Sequence, residues 1–422
     1  MKTLMVLGAG QGQLPILKQA EQMENVYCVV VDKDKNAIGV QHADLHLHHS
    51  VKETDIIMEM AKSLRIDGII APCADAGLQT YGKIVTELGL KGIHHRAIDI
   101  CCNKNKFHKV MRKYGVKVPD RYDDLFEESF PVIVKPSDGV SSKGVYKIES
   151  FYQRPHPKEL LADAKTYSSD GNAIIQRYYS EPIFNCDLVI QDNKIKYYML
   201  HDEGIFAGKK NFGADYFVYP SSYRKHEYYI VEVCRQIIDV LEITDGNIAV
   251  EGVVCNQGRF TENGFEYNDE VVVIEVNPRL SGTFHIETHS DSSGINWAED
   301  AINIALGEKV ESKLCYPVPH GWMLIGAEED GFIERIDLEG LMYAYSDLFT
   351  AWKLKKEGDF VKSYKCQETS TDNAVVAVYT KDDSGLATSD AIVVDMLFHI
   401  ENSIKIHTRR WENEKPIDFG SK

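Results

Sequence analysis

Glu251 interrupts one apolar run, Ile248–Cys255, and Glu275-Val-Asn-Pro-Arg279 closes another, Val271–Val276. Carboxylates embedded in valine-rich strands are costly to bury without a partner cation. Alternation along an extended strand puts Glu275, Asn277 and Arg279 on one face. Two carboxylates and an amide oxygen are hard ligands, suited to Mg2+ shared with substrate phosphates. Arg279 beside them suits the neutralisation of a transferring phosphoryl group or an acyl phosphate. The competing reading is an edge strand with solvated acids, and the apolar residues before Glu275 argue against it.

A second group lies upstream. Lys135-Pro-Ser-Asp-Gly-Val-Ser-Ser-Lys-Gly144 follows the apolar residues Pro131-Val-Ile-Val. The lysine precedes the glycines, so this is not a Walker loop. A lysine on a rigid strand meets a phosphate as a point charge. Gly139, Ser141, Ser142 and Gly144 let a hairpin loop turn its amides onto outer phosphates. A surface hairpin with a charged tip is the bland alternative. Weaker signals stand elsewhere. Gly8-Ala9-Gly10-Gln11-Gly12, with Asp32 beyond it, is a partial dinucleotide fingerprint whose sixth position is Gln13, so a simple tight turn is favoured. His42, His46, His48 and His49 lack a nearby cysteine or paired carboxylate and read as surface groups rather than a metal site. Packing is the favoured role of His285 and His289, and a place in an acceptor pocket is the alternative. Lys209, Lys210 and Arg224 read equally as solvated charge or as holders of a substrate carboxylate. Asp75 ends a strand, where α/β sheets usually bind ligands.

These groups need supports. Thr3–Leu7, Val26–Val31, Gly68–Ala71 and Gly92–His94 read as strands alternating with helices Pro15–Met23, Thr54–Leu64 and Leu78–Leu88, a βαβ rhythm implying a small parallel sheet. A helix over Lys104–Tyr114 is stopped by Gly115. Strands Pro131–Lys135 and Val145–Ile148 pair as a hairpin, helix Pro157–Tyr167 leads to strand Ala173–Gln176, and a hairpin spans Phe184–Phe206 about Asp192-Asn193. Helix Tyr228–Leu241 precedes the two acid-bearing strands, joined by a long polar tip over Asn256–Asp269. Beyond helix Asn296–Leu306 the spacing predicts strands Trp322–Gly326, Ala374–Tyr379 and Ile404–His407, and helix Ala387–Ile400. The fold class is α/β and α+β: an N-terminal α/β domain (1–100), a central domain of two α+β subdomains (101–310, with a lid about 120–185) and a mixed C-terminal domain (311–422).

The chain has 422 residues and a net charge of −17. That charge repels a nucleic-acid backbone, so no nucleic-acid partner is expected. No apolar run reaches spanning length and none resembles a signal peptide, so no membrane partner is expected either. Nine cysteines, with no CxxC pair, read as reduced thiols of a cytoplasmic protein.

Together, Lys104 at a helix entry, the strand lysine and loop Lys135–Gly144, and the strand Glu275–Arg279 resemble the ATP-grasp superfamily over Cys101–Gly307. The resemblance is to carboxylate-amine ligases, carbamoyl-phosphate synthase large chains and, with a different continuation after Arg279, biotin carboxylase. It implies ATP and Mg2+, with Mn2+ as a substitute ion. Lys104 and Lys135 are then the phosphate lysines, and Ser141, Ser142 and Gly144 belong to the lid loop. Gln176, Arg177 and Tyr178 form the hinge that reads adenine, Asp187 sits downstream of it on the nucleotide side, Glu251, Glu275 and Asn277 hold the metal, and Arg279 with Lys135 acts in catalysis. The family's hinge normally carries an acid where this chain has Gln176 and Arg177. The implied activity is a Mg-ATP-dependent ligase coupling a carboxylate, through an acyl phosphate, to an amine or ammonia. Carbamoyl-phosphate-synthase-like phosphorylation of bicarbonate or carbamate, a non-catalytic nucleotide-binding protein and a nicotinamide-dependent oxidoreductase are the alternatives. Small-molecule substrates are the implied partners, and a homodimer is implied by resemblance alone.

Overall fold

Four parallel strands in the order Leu45–Leu47, Val26–Val31, Lys2–Leu7 and Gly68–Ile70 form the first sheet of the computed structural model. The structure describes residues 1–139, 142–206, 212–261, 264–313, 317–344, 349–365, 373–382 and 390–409. Both faces of this sheet are covered, as a parallel sheet requires. Leu4 and Val6 pack with Ile16, Leu17 and Ala20 of helix Leu14–Gln22, while Met5 and Leu7 join the core with Ile57, Leu78 and Ile84. The strand predicted at Gly92–His94 does not form. There the chain is held by the Tyr81 hydroxyl, which accepts from the Ile93 amide at 2.9 Å, so no neighbouring strand is needed to satisfy that group.

Helix Lys104–Lys113 begins at Asn103, whose side chain accepts from the amides of Asn105 and Lys106, both at 3.1 Å. This cap satisfies two of the helix's orphan donors and fixes Lys104 at the first helical position. An antiparallel four-stranded sheet follows, in the order Arg121–Tyr122, Ala173–Arg177, Val132–Pro136, Tyr146–Ile148. Val132, Val134, Ile148 and Ile175 pack with Ala164 of helix Pro157–Thr166 as its own small core.

The largest sheet has eight strands, ordered Gly264–Asn277, Gly246–Thr261, Ile183–Gln191, Lys194–Gly204, Tyr216–Tyr219, His320–Gly326, Ala374–Lys381 and Thr350–Lys353. It runs without a break across residue 310, so the central and C-terminal regions share one hydrogen-bonded layer. The polar tip expected over Asn256–Asp269 is instead mostly paired strand, continuing to Thr261 and resuming at Gly264. A three-stranded sheet of Phe360–Val361, Gly331–Asp337 and Lys405–Arg409 completes the C-terminal region. The helix expected over Ala387–Ile400 runs Asp390–Ser403, its first expected turn lying outside the described residues. Among the described residues no helix is long and apolar enough to cross a membrane, and the seven described cysteines are all free.

Candidate functional site

One row of polar side chains crosses four neighbouring strands of the large sheet. Glu275 pairs with Glu251, Glu251 with Asn185, and Asn185 with His201. Directly opposed residues share a face, so strand register alone brings these groups together. Glu275, Glu251 and Asn185 of this row line a cleft of about 1030 Å³, whose walls also include Lys104, Lys135, Gln176, Arg177, Tyr178, Glu203 and Arg279.

The anionic and cationic sides balance each other. Lys104 Nζ lies 3.7 Å from Glu275 Oε2 and donates to the Gly139 carbonyl at 3.2 Å. Lys135 is 5% exposed on strand Val132–Pro136. Burial, then Lys104, brings its ammonium down to about 8, while Glu275 and Glu251 oppose the change. Burial alone would raise the Glu275 carboxyl, but Lys104 and Lys135 outweigh it and hold the group below its ordinary value. Glu251 goes the other way. Burial, Glu203 and Glu275 push it well up, with Arg279 and Lys135 opposing. Two neighbouring carboxyls driven apart in this fashion are held by like-charge repulsion at close range, the condition that a divalent cation relieves.

Asn277 donates from Nδ2 to Glu251 Oε1 at 2.9 Å and approaches Glu275 Oε1 at 3.5 Å. The amide therefore turns its nitrogen toward the carboxylates, and joining them as an oxygen ligand takes a rotation of that amide. Arg279 lies past the strand end. Its Nε donates to Asp75 Oδ1 at 2.6 Å. This pair ties the N-terminal sheet's edge to the cleft.

The loop after Lys135 is anchored at both ends. Asp138 accepts from the Ser168 hydroxyl and the Ser169 amide, at 2.6 and 2.9 Å. Ser142 has φ +54° and lines the cleft. Gly144 has φ +71°, and a Cβ there would meet Tyr167 Cδ2 at 2.6 Å, so both conformation and space demand glycine. Gly144 itself is not among the cleft-lining residues, although Lys143 and Val145 are. Ser141, Lys209 and Lys210 lie outside the described residues. At the hinge, the Arg177 amide donates to the Asp120 carbonyl at 2.9 Å and the Tyr178 amide to the Pro131 carbonyl at 3.3 Å. Those donors are engaged within the fold. Gln176, 4% exposed, lines the cleft, and its side-chain oxygen is buried with no hydrogen-bond partner.

Asp187 does not line the cleft. It is buried behind the wall, accepting from Ser281 Oγ at 2.5 Å and facing His289 Nε2 at 2.9 Å. The reason is alternation combined with depth: it shares a face with Asn185 but sits one pair further along, under helix His285–Ser293. Of the two downstream histidines, His285 lines the cleft and His289 is core. The N-terminal glycine turn is internally satisfied, because Ala9 N donates to Asp32 Oδ2 at 2.8 Å and Gly10 N to Gln13 Oε1 at 3.0 Å. His42, His46 and His48 each bond a separate group and do not converge.

The residue reading overlooked Glu203 and Asn185. Asn185 Nδ2 donates to Glu203 Oε1 at 2.9 Å, and burial raises the Glu203 carboxyl to about 7. A signal was present: Asn185 and Asp187 on one arm of the predicted hairpin, and His201 and Glu203 on the other, are polar residues at a spacing of two in otherwise apolar strands.

Comparison with known proteins accords with this geometry. Residues 101–283 match the family model described as the ATP-grasp domain. The uncharacterized protein y4rH of Sinorhizobium fredii is 25% identical over 296 residues, covering 66% of this chain and 57% of that protein. The carbamoyl phosphate synthase large chain of Thermoanaerobacter pseudethanolicus is 22% identical over 244 residues, 55% of this chain and 21% of its own. The chain thus spans little more than half of the first relative and about a fifth of the second. The crystal structure of an L-amino acid ligase from Bacillus licheniformis superposes with a TM-score of 0.76 at 17% identity, covering 97% of this chain and 99% of that one. At that identity the likeness is one of fold.

Proposed function

We propose that this chain, whose residues 101–283 carry an ATP-grasp domain, is an ATP-dependent ligase that joins a small carboxylate to an amine or ammonia. The observation that supports this reading most is the convergence of Lys104 and Lys135 on Glu275 and Glu251 in one cleft large enough for a nucleotide and a second small molecule. The donor set fits magnesium. Glu251 and Glu275, joined after an amide rotation by Asn277, are hard oxygen ligands, and the carboxyl pair is under mutual repulsion. A magnesium ion held there supplies charge neutralisation on the terminal phosphates.

The chain's own residues do the rest. Lys104 and Lys135 neutralise phosphate oxygens, Gln176 accepts from the adenine amine, and the Ser142–Gly144 turn covers the outer phosphates. A carboxylate oxygen attacks the γ-phosphorus, an O–P bond forms, and ADP departs with the electrons of the bond broken. The amine nitrogen then attacks the acyl carbon, phosphate leaves, and the nitrogen releases its proton. Arg279, fixed by Asp75, stabilises the negative charge that develops on the acyl oxygen. Exclusion of water by the loop keeps the acyl phosphate from hydrolysis.

The test is ADP and phosphate release from MgATP against pools of carboxylates and amines. Release that requires one carboxylate and one amine together supports the ligase. ADP formed with bicarbonate and ammonia alone points instead to carbamoyl-phosphate-type chemistry, and no substrate-dependent ADP from any pool points to a nucleotide-binding protein without turnover.

A further inference from the structure

Behind the cleft wall lies a group of side chains that the ligase reading does not use. Asp187 and His201 come from adjacent antiparallel strands, and His289 from helix His285–Ser293 packed over them. Met199 is the direct partner of Asp187, so His201 is its diagonal neighbour on the same face. The three are 4%, 0% and 1% exposed. Their ligand-capable atoms all lie within 4.8 Å of one another. Asp187 Oδ2 is 2.9 Å from His289 Nε2 and 3.4 Å from His201 Nε2. Ligands about 2.0–2.1 Å from a tetrahedral ion stand roughly 3.3–3.4 Å apart, close to the two Asp187–histidine distances.

We propose that Asp187, His201 and His289 bind one divalent transition-metal ion of the class that imidazole and carboxylate share, with zinc as its representative.

Three further observations carry this. His201 is wholly buried, yet neither of its ring nitrogens has a hydrogen-bond partner, and His289 Nδ1 has none either. Orphaned buried nitrogens of this kind are rare and costly, and coordination removes one such cost for His201. Next, the two rings are packed together, with centroids 5.3 Å apart. Last, the Asp187 carboxyl is held in place. Ser281 Oγ fixes Asp187 Oδ1, the placement that commonly orients a ligating carboxylate. The nearby guanidinium of Arg279 is committed to Asp75. Trp297 and Trp322, with ring centroids 5.0 and 5.5 Å from His289, close the site to water. An ion here clamps two strands and a helix together directly beneath His285 and Ser281, both of which line the cleft. Its role is thus to hold the wall, and the inference stands independently of the ligase reading.

The test uses the untagged full chain, purified without chelator and dialysed against excess Mg2+, which occupies oxygen sites and leaves imidazole sites alone. Elemental analysis should find about one transition-metal ion per chain, or about one zinc after stripping and reloading with zinc alone. Asp187→Asn and His201→Gln should each weaken zinc binding by about tenfold or more, whereas Glu251→Gln should leave it intact. Zinc should also raise the melting temperature of the stripped protein. Should the variants not fold, Co2+ added to the stripped native chain gives a second readout, with visible absorption saturating near one equivalent. The proposal is overturned by substoichiometric metal in both the native and the reloaded chain, by a featureless cobalt spectrum, or by equal zinc uptake in folded Asp187→Asn. Any of these would leave a buried histidine cluster that binds no metal.

Discussion

Lys135 shows how one position acquires its chemistry from its surroundings. Its strand is apolar, its side chain is almost fully buried, and its charge is sustained by Glu275 and Glu251 against burial and Lys104. Lys135→Ala removes the proposed phosphate contact and one of the two lysines that hold the Glu275 carboxyl down. We expect ATP turnover to fall by about a hundredfold or more, the size of effect typical for a lost electrostatic stabiliser, with an unchanged circular dichroism spectrum. Glu275→Gln should abolish Mg2+-dependent turnover while leaving nucleotide binding without metal measurable by calorimetry, because the lysines remain. Near-normal rates in either variant would remove both residues from the mechanism. The types of these residues were legible in the sequence, since an acid or a lysine inside an apolar strand announces a cost to be met. For Glu203 the spacing of two from His201 was visible, but its approach to Asn185 and Glu251 across strands was not, because pairing is set by register rather than by neighbours in sequence.

The elements that carry the site differ in how closely they are specified. The turn at Gly144 demands positive φ and has Tyr167 against it, so Gly144→Val should strain the hairpin by about 1–3 kcal/mol. That strain should raise the KM for ATP more than it lowers the melting temperature, since the turn lies at the rim of the fold. The N-terminal glycine turn gives the opposite expectation. Its amides are bonded to Asp32 and Gln13, so NADH titrated against the protein should show no saturable fluorescence change. Saturable binding would restore the oxidoreductase reading. Here the sequence pattern was ambiguous and geometry decided, because a glycine turn looks alike whether its donors face a phosphate or the protein. The hinge is similar. Gln176 and Arg177 departed from the family pattern, and the fold engages the amides of Arg177 and Tyr178 while the buried Gln176 oxygen has no hydrogen-bond partner.

At the scale of the whole molecule, buried histidines govern the response to acid. Burial holds His108 and His320 down to about 3 and His285 to about 4. Their folded values lie below the unfolded value near 6.5, so the unfolded chain takes up protons first as pH falls. Their contribution is fully present above about pH 6.5 and is lost as pH drops toward 4 for His285 and toward 3 for His108 and His320, at roughly 1.4 kcal/mol per pH unit for each group. Urea midpoints should therefore decline steadily from pH 7 to pH 5, and a flat profile would mean that these rings charge freely in the native state. The sequence by itself determined the alternating βαβ start, the acid-bearing strands, the lysine hairpin and the ATP-grasp resemblance, because hydrophobic period and turn chemistry are local properties of the chain. Tertiary structure alone decided that Asp187 lies behind the wall, that Arg279 binds Asp75, and that the central and C-terminal regions share one sheet. Each of those facts joins residues far apart in sequence. Which face meets which depends on register, depth and packing, and no local pattern encodes these.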